Sequence, residues 1–153
     1  MPHKLLIDVE FENPSRYKKF LFERETVNGK KITIKHTVKN IGDEIFPKRN
    51  YRCKLIMPTG MGTLAQTGPQ IKAPALKPKE TFKFDMENIF IAPGFWLLNI
   101  TVELKDKEEI EYYREEEEET PDKEKWELSF YVADRHLLDL NLNMRKLLKQ
   151  KEG

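Results

Sequence analysis

An all-β fold, a two-layer sandwich of about seven strands with a C-terminal α-helix, is predicted by three observations. Apolar and polar residues alternate with period two in a succession of short segments, as half-buried strands require. Turn-forming pairs such as Asn13-Pro14, Asn28-Gly29 and Pro93-Gly94 separate those segments. Only from residue 134 onward does the spacing change to three- and four-residue steps.

The clearest strand is 31–40, where Ile32, Ile34, His36 and Val38 oppose Lys31, Thr33, Lys35, Thr37 and Lys39. We expect it near the centre of a sheet. Before it, 4–12 sets Leu5, Ile7, Val9 and Phe11 against mostly charged neighbours, and 17–24, with Phe20 and Phe22, is expected to add an edge piece. Asn28-Gly29 predicts a two-residue hairpin, because a type I′ turn needs positive φ at both central residues. Next comes 51–57, with Tyr51, Cys53, Leu55 and Met57 on one face and Arg52 and Lys54 on the other.

Residues 58–78 differ in kind: Pro58, Pro69, Pro74 and Pro78 are interspersed with Gly60, Gly62 and Gly68. Proline cannot serve a central ladder, so short edge segments joined by turns are expected, acting as a crossover or a binding loop. Strand 81–88 presents Phe82, Phe84 and Met86. Pro93-Gly94 fits the centre of a type II turn. It leads into 95–104, where Trp96, Leu98, Ile100, Val102 and Leu104 share a face while Phe95 and Leu97 imply cover on the other. Ile110 and Tyr112 begin a strand that dissolves into the glutamates 115–119, and Trp126, Leu128, Phe130 and Val132 form the last one.

Asp134 is placed to cap a helix. Leu137, Leu140, Met144 and Leu147 then form a stripe, widened by Leu148, that either packs on the sandwich or makes a modest dimer contact. About two heptads are too few for a sustained coiled coil. The expected organisation is thus a sandwich over 1–133 with a helical appendage over 134–153.

Composition narrows the function classes. The 153 residues carry a net charge of +1, so no global field draws in nucleic acid or membrane. The charge is uneven: 103–127 holds thirteen acids and five bases, net −8, which leaves +9 on the rest. Abundant Lys and Glu with little Gln resembles a heat-tolerant composition. A single cysteine, Cys53, forbids an internal disulfide. No stretch approaches the roughly 20 apolar residues of a membrane span, so a cytoplasmic chain is expected unless it is a piece of a secreted or envelope protein.

Reactive constellations are not legible. His3, His36, His136 and Cys53 have no ligand spacing, so no metal or cofactor is expected. His36 reads as a hydrogen-bonded, half-buried residue and Cys53 as a small buried hydrophobe. Ser15 and Ser129 lie in no nucleophile elbow, and Gly60-Met61-Gly62 lacks the lysine and the following helix of a phosphate loop. The glutamate run 115–119 reads as a solvated loop or an acidic tether. The basic residues Lys31, Lys35 and Arg52 read first as solubilising and second as partner-binding.

The succession VKNIGDEIF, YRCKLIM, ALKPKETFKFDM, APGFWLLNITVEL and WELSFYV resembles the CARDB-type immunoglobulin-like domains. Val38, Asn40 and Gly42 match a V-x-N-x-G strand end. Leu76, Pro78 and Glu80 match an L-x-P-G-E turn with Lys79 in place of glycine, which predicts a type I turn there. Pro93, Gly94 and Trp96 match a P-G-x-Y/W strand start. The resemblance covers 27–133 and implies an immunoglobulin-like sandwich with an accessory or binding role and no shared catalytic residue. The expected function is therefore non-enzymatic: recognition of a protein partner, or self-association, through loops, an edge strand and the terminal helix, with Leu137, Leu140, Met144, Leu147, Lys31, Lys35 and Arg52 as candidate contacts. Two alternatives stand beside it. One is a carbohydrate- or ligand-binding accessory module, for which Trp126 and Tyr113 are the candidate aromatics; the other is a nucleic-acid-associated protein using the basic body.

Overall fold

The computed structural model describes residues 2–59, 61–115 and 120–152. Among these described residues nine strands form two facing sheets, and a helix follows the last strand. The strands are β1 (His3–Glu12), β2 (Glu25–Val27), β3 (Lys31–Asn40), β4 (Arg49–Thr59), β5 (Gly62–Ala73), β6 (Thr81–Ile89), β7 (Gly94–Val102), β8 (Ile110–Tyr113) and β9 (Trp126–Ala133); the helix α1 is Arg135–Glu152. One sheet has the order β6-β3-β1-β8 and the other β2-β9-β7-β4-β5. Most pairs are antiparallel; β1 with β8 and β2 with β9 are parallel.

The alternation of each strand decides which face closes the core. Leu5, Ile7, Ile32, Ile34 and Val38 from one sheet meet Tyr51, Leu55, Trp96, Leu98 and Phe130 from the other, all buried. Each such side chain contributes about 1.5–3 kcal/mol on leaving water. Tyr112 ties the layers together, its phenolic oxygen accepting from the Val102 N–H at 2.8 Å.

Several local expectations are corrected. Residues 18–24 form no strand; Ser15–Tyr17 is a single 3-10 turn with Tyr17 buried. Asn28-Gly29 closes no hairpin, because β2 and β3 belong to different sheets. Gly29 does take positive φ (71°), but the turn carries the chain across the sandwich. Residues 58–78 are not short segments: β5 is a twelve-residue edge strand in a hairpin with β4. Its proline sits at a bulge. Pairing steps from Arg52 opposite Gln70 to Lys54 opposite Thr67, so Gly68 and Pro69 together face Cys53. Gly68 lets the bulge lie close to the facing sheet: a Cβ there would come within 2.4 Å of Met86 Cε, a flexible methyl that would have to move aside. Phe95 is 65 % exposed, so the outer face of β7 is open at its start, while Leu97 beside it is half-buried.

The Pro78-Lys79 turn is also corrected. The Glu80 N–H donates to the Lys77 carbonyl at 2.9 Å, and Lys79 takes φ 71°. A type I turn has negative φ at that position, so the lysine occupies the conformation that glycine would take in a type II turn. Left-handed backbone strains a residue with a Cβ, while glycine costs more unfolded-chain entropy. On balance Lys79→Gly is expected to stabilise by about 0.5–1 kcal/mol. The check is a higher urea midpoint at unchanged slope.

Candidate binding surfaces

The helix starts as its sequence directs. Asp134 Oδ1 accepts from the His136 N–H at 2.8 Å and the Leu137 N–H at 3.4 Å, as an N-cap should. A second tether was not legible in the sequence: the Arg135 N–H donates to Asn28 Oδ1 at 2.6 Å, so the crossover turn holds the helix start. Tyr17 also donates its phenolic proton to Asp139, and Arg16 lies 3.8 Å from the same carboxylate. Burial, and then this bond, raise the Tyr17 phenol above its ordinary value; the same bond lowers the Asp139 carboxyl.

These contacts turn Leu138, Asp139 and Leu142 partly inward. The predicted stripe faces the other way. Leu137, Leu140, Met144 and Leu147 are 61, 55, 53 and 58 % exposed, and Leu148 is 59 % exposed. The stripe therefore does not pack on its own sandwich, which removes one of the two expected readings.

The basic candidates are not one face. Lys31 and Lys35 lie on the outer side of the β6-β3-β1-β8 sheet and Arg52 on the outer side of the other. Lys31 Nζ pairs with Glu87 at 2.9 Å and Lys35 Nζ with Glu12 at 3.2 Å. That side is charge-compensated by cross-strand acids, a poor track for phosphates. Arg52 and Lys54 have no ion-pair or hydrogen-bond partner among the described residues. They flank a groove of about 500 Å³ on the outer side of the five-stranded sheet, above the bulge of β5.

The aromatic candidates are redistributed. Trp126 is 1 % exposed and unavailable for stacking, and Tyr113 is half-buried with its hydroxyl 3.3 Å from Glu111. The exposed rings are Phe22 and Phe95, both against Tyr131 at centroid distances of 6.5 and 5.2 Å. In the sequence Phe95 implies cover on the outer side of its strand, and the structure instead leaves its ring exposed. Nothing local placed Phe22 against Tyr131, because that contact joins residues over a hundred positions apart.

Two of the reactive candidates are withdrawn from solvent, while Ser15, Ser129 and His136 are exposed. Cys53 is buried, and burial pushes its thiol up to about 12. His36 is not the half-buried, hydrogen-bonded residue expected. It is 1 % exposed, neither ring nitrogen has a partner, and the imidazole stacks on Phe84 at 4.5 Å. Glu108 accepts three hydrogen bonds. Burial alone would raise its carboxyl, but hydrogen bonds from Arg49 Nε (3.0 Å), Arg49 Nη2 (2.6 Å) and the Lys105 N–H (2.7 Å) outweigh that and hold it below the usual range. Most of the glutamate run, 116–119, lies outside the described residues. No helix among them is long and apolar enough to cross a membrane.

No protein-family model and no curated protein matches the chain in sequence. Solved structures do match. A CARDB domain from Pyrococcus furiosus, crystallised in complex with di-metal ions, aligns with a TM-score of 0.51 at 16% identity, over 86% of this chain and 93% of that one. A β-glucosidase from Listeria innocua aligns with a TM-score of 0.47 at 14% identity over 86% of this chain, but only 16% of its own. A sporulation control protein from Bacillus subtilis aligns with a TM-score of 0.48 at 9% identity, over 94% of this chain and 55% of that one. The chain thus has a CARDB-like fold, as its turn motifs imply. Among the described residues no group of three or more His, Cys, Asp or Glu side chains is placed to hold an ion. His3 approaches Glu108 at 3.8 Å, but Arg49 already occupies that carboxylate.

Proposed function

We propose that the chain is a non-catalytic binding module that self-associates through α1, the helix of one copy pairing antiparallel with that of another. The observation that carries this reading is the exposed Leu137, Leu140, Met144 and Leu147 stripe on a helix capped and anchored at its start. The spacing of those four residues, three-four-three, reads the same in both directions. A two-fold antiparallel pair would therefore set Leu137 against Leu147 and Leu140 against Met144, which is the self-complementarity an isologous contact needs. Arg145, Lys146 and Lys149 crowd the C-terminal half, so parallel pairing would oppose like charges and antiparallel pairing separates them.

The non-catalytic part of the proposal is supported by where the cysteine and one inward histidine sit, and by the absence of a nucleophile elbow around Ser15 or Ser129. Cys53 and His36 are sealed in the core, out of reach of a substrate.

The test is the molar mass of the full chain across a concentration series by light scattering. The wild type is expected to move from the 18.2 kDa monomer towards twice that mass. Leu140→Glu with Met144→Glu places like charges opposite each other and removes two apolar contacts per copy, each worth about 1.5–3 kcal/mol. The dissociation constant is expected to rise by at least about a hundredfold, with the thermal transition of the sandwich unchanged. A wild type that stays monomeric throughout would sink self-pairing.

A further inference from the structure

The groove above the β5 bulge sets two exposed cations among neutral polar side chains. Arg52 and Lys54 project from alternate positions of β4, about 7 Å apart along the strand, with no acid between them. Other exposed strand cations divide: Lys31 pairs with Glu87 and Lys35 with Glu12, while Lys4, Lys72 and Lys83 have no ion pair among the described residues, so what sets Arg52 and Lys54 apart is that they stand side by side over one groove. Two uncompensated like charges side by side raise the energy of the unliganded protein, and an anion between them would lower it. Lys125, held 3.3 Å from Glu127, closes one side of the groove.

The remaining lining is Cys53, Gly68 and the neutral hydrogen-bonding side chains of Thr67, Gln70, Asn99 and Thr101, of which the Gln70 amide also reaches Glu103 at 3.5 Å. Such hydroxyls and amides match ligand hydroxyl groups. No aromatic side chain lines the groove, so it lacks the platform on which nucleic-acid bases stack. A peptide strand would find few free backbone partners, since β4 is paired on both sides by β5 and β7. The volume of about 500 Å³ lies within the 300–1,000 Å³ range of small-ligand sites.

We propose that this groove binds an acidic sugar, the anionic group lying between Arg52 and Lys54 and the ring hydroxyls on the Thr67, Gln70, Asn99 and Thr101 side chains. The acid is a carboxylate, as in a uronate, or a sulfate ester; both are planar or tetrahedral oxyanions suited to a guanidinium fork. This site is independent of the helix pairing and lies on different strands.

The experiment titrates the full isotope-labelled chain with a galacturonate tetramer, a sulfated chondroitin tetramer, a neutral maltose-series tetramer and an oligothymidylate, following backbone amide shifts. One or both acidic sugars are expected to shift amides at 52–54, 67–70 and 99–101, and which one does so tells carboxylate from sulfate. The neutral tetramer is expected to bind at least about tenfold more weakly. Arg52→Ala and Lys54→Ala, both exposed, are each expected to weaken the acidic sugar by about tenfold while Lys31→Ala leaves it unchanged. Silence from both acidic sugars, shifts that persist in the double variant, or an equal response to oligothymidylate would each overturn the assignment. The Leu140→Glu, Met144→Glu chain repeats the titration, so a failure of helix pairing is distinguished from a failure of the groove.

Discussion

Asn40→Ala is expected to destabilise the chain by about 2–4 kcal/mol, and Asn40→Asp by more. The side chain is 1 % exposed and fully used. Its Nδ2 donates to the Glu44 carbonyl at 2.8 Å and the Leu76 carbonyl at 2.9 Å, and its Oδ1 accepts from the Gly42 N–H at 3.0 Å. Its backbone is engaged too, accepting from the Lys79 N–H at 2.7 Å and donating to the Glu80 carbonyl at 3.1 Å. Asn40 therefore pins the turn after β3 to the connection between β5 and β6. Alanine leaves buried polar groups short of partners. Aspartate is worse, because a carboxylate would face two carbonyl oxygens with no proton to offer. Urea unfolding monitored by tryptophan fluorescence checks both; equal midpoints for Asn40→Asp and wild type would refute the assignment. The Asn of the V-x-N-x-G motif thus has a physical reason, with Gly42 supplying the amide that completes it.

Acid is expected to weaken the sandwich through His36. Burial without any hydrogen-bond partner lowers its imidazole from 6.5 to about 4. The folded chain keeps the ring neutral while the unfolded chain takes up a proton below about 6.5. Stability is therefore undiminished above pH 6.5 and falls as pH drops towards 4, by up to roughly 3 kcal/mol. Glu108 adds to the loss only below its unfolded value of 4.5, because its carboxyl is lowered rather than raised. Between pH 6.5 and 4.5 the slope thus belongs to His36. His36→Leu is expected to abolish that slope and to leave neutral-pH stability equal or higher, since two unpartnered nitrogens leave the core. Urea midpoints at half-unit pH steps decide; a wild-type midpoint that is flat from 6.5 to 4.5 would contradict the burial.

The contrast between these two residues shows what reading along a chain achieves. Asn40 belongs to a recognisable turn motif, and its importance was legible although its partners were not. His36 occupied an inward position among Ile32, Ile34 and Val38, so its direction was legible, but its hydrogen bonding was not. Whether a nitrogen finds a partner depends on what β1, β6 and the facing sheet bring to that point, and here they bring Val9 and Phe84.

The strand alternation, the cap at Asp134 and the apolar helix stripe were determined by the sequence alone, because each depends on neighbours within four residues. The tertiary structure decided the rest. It made Asn28-Gly29 a passage between sheets rather than a hairpin, since β2 pairs with β9, over a hundred residues away. It absorbed Pro69 into a bulge of a long edge strand. It put Arg52 on the opposite side of the sandwich from Lys31 and Lys35, and it turned the leucine stripe to solvent. In each case the deciding contact is long-range, and a local pattern states which side chains seek cover without stating which partner supplies it.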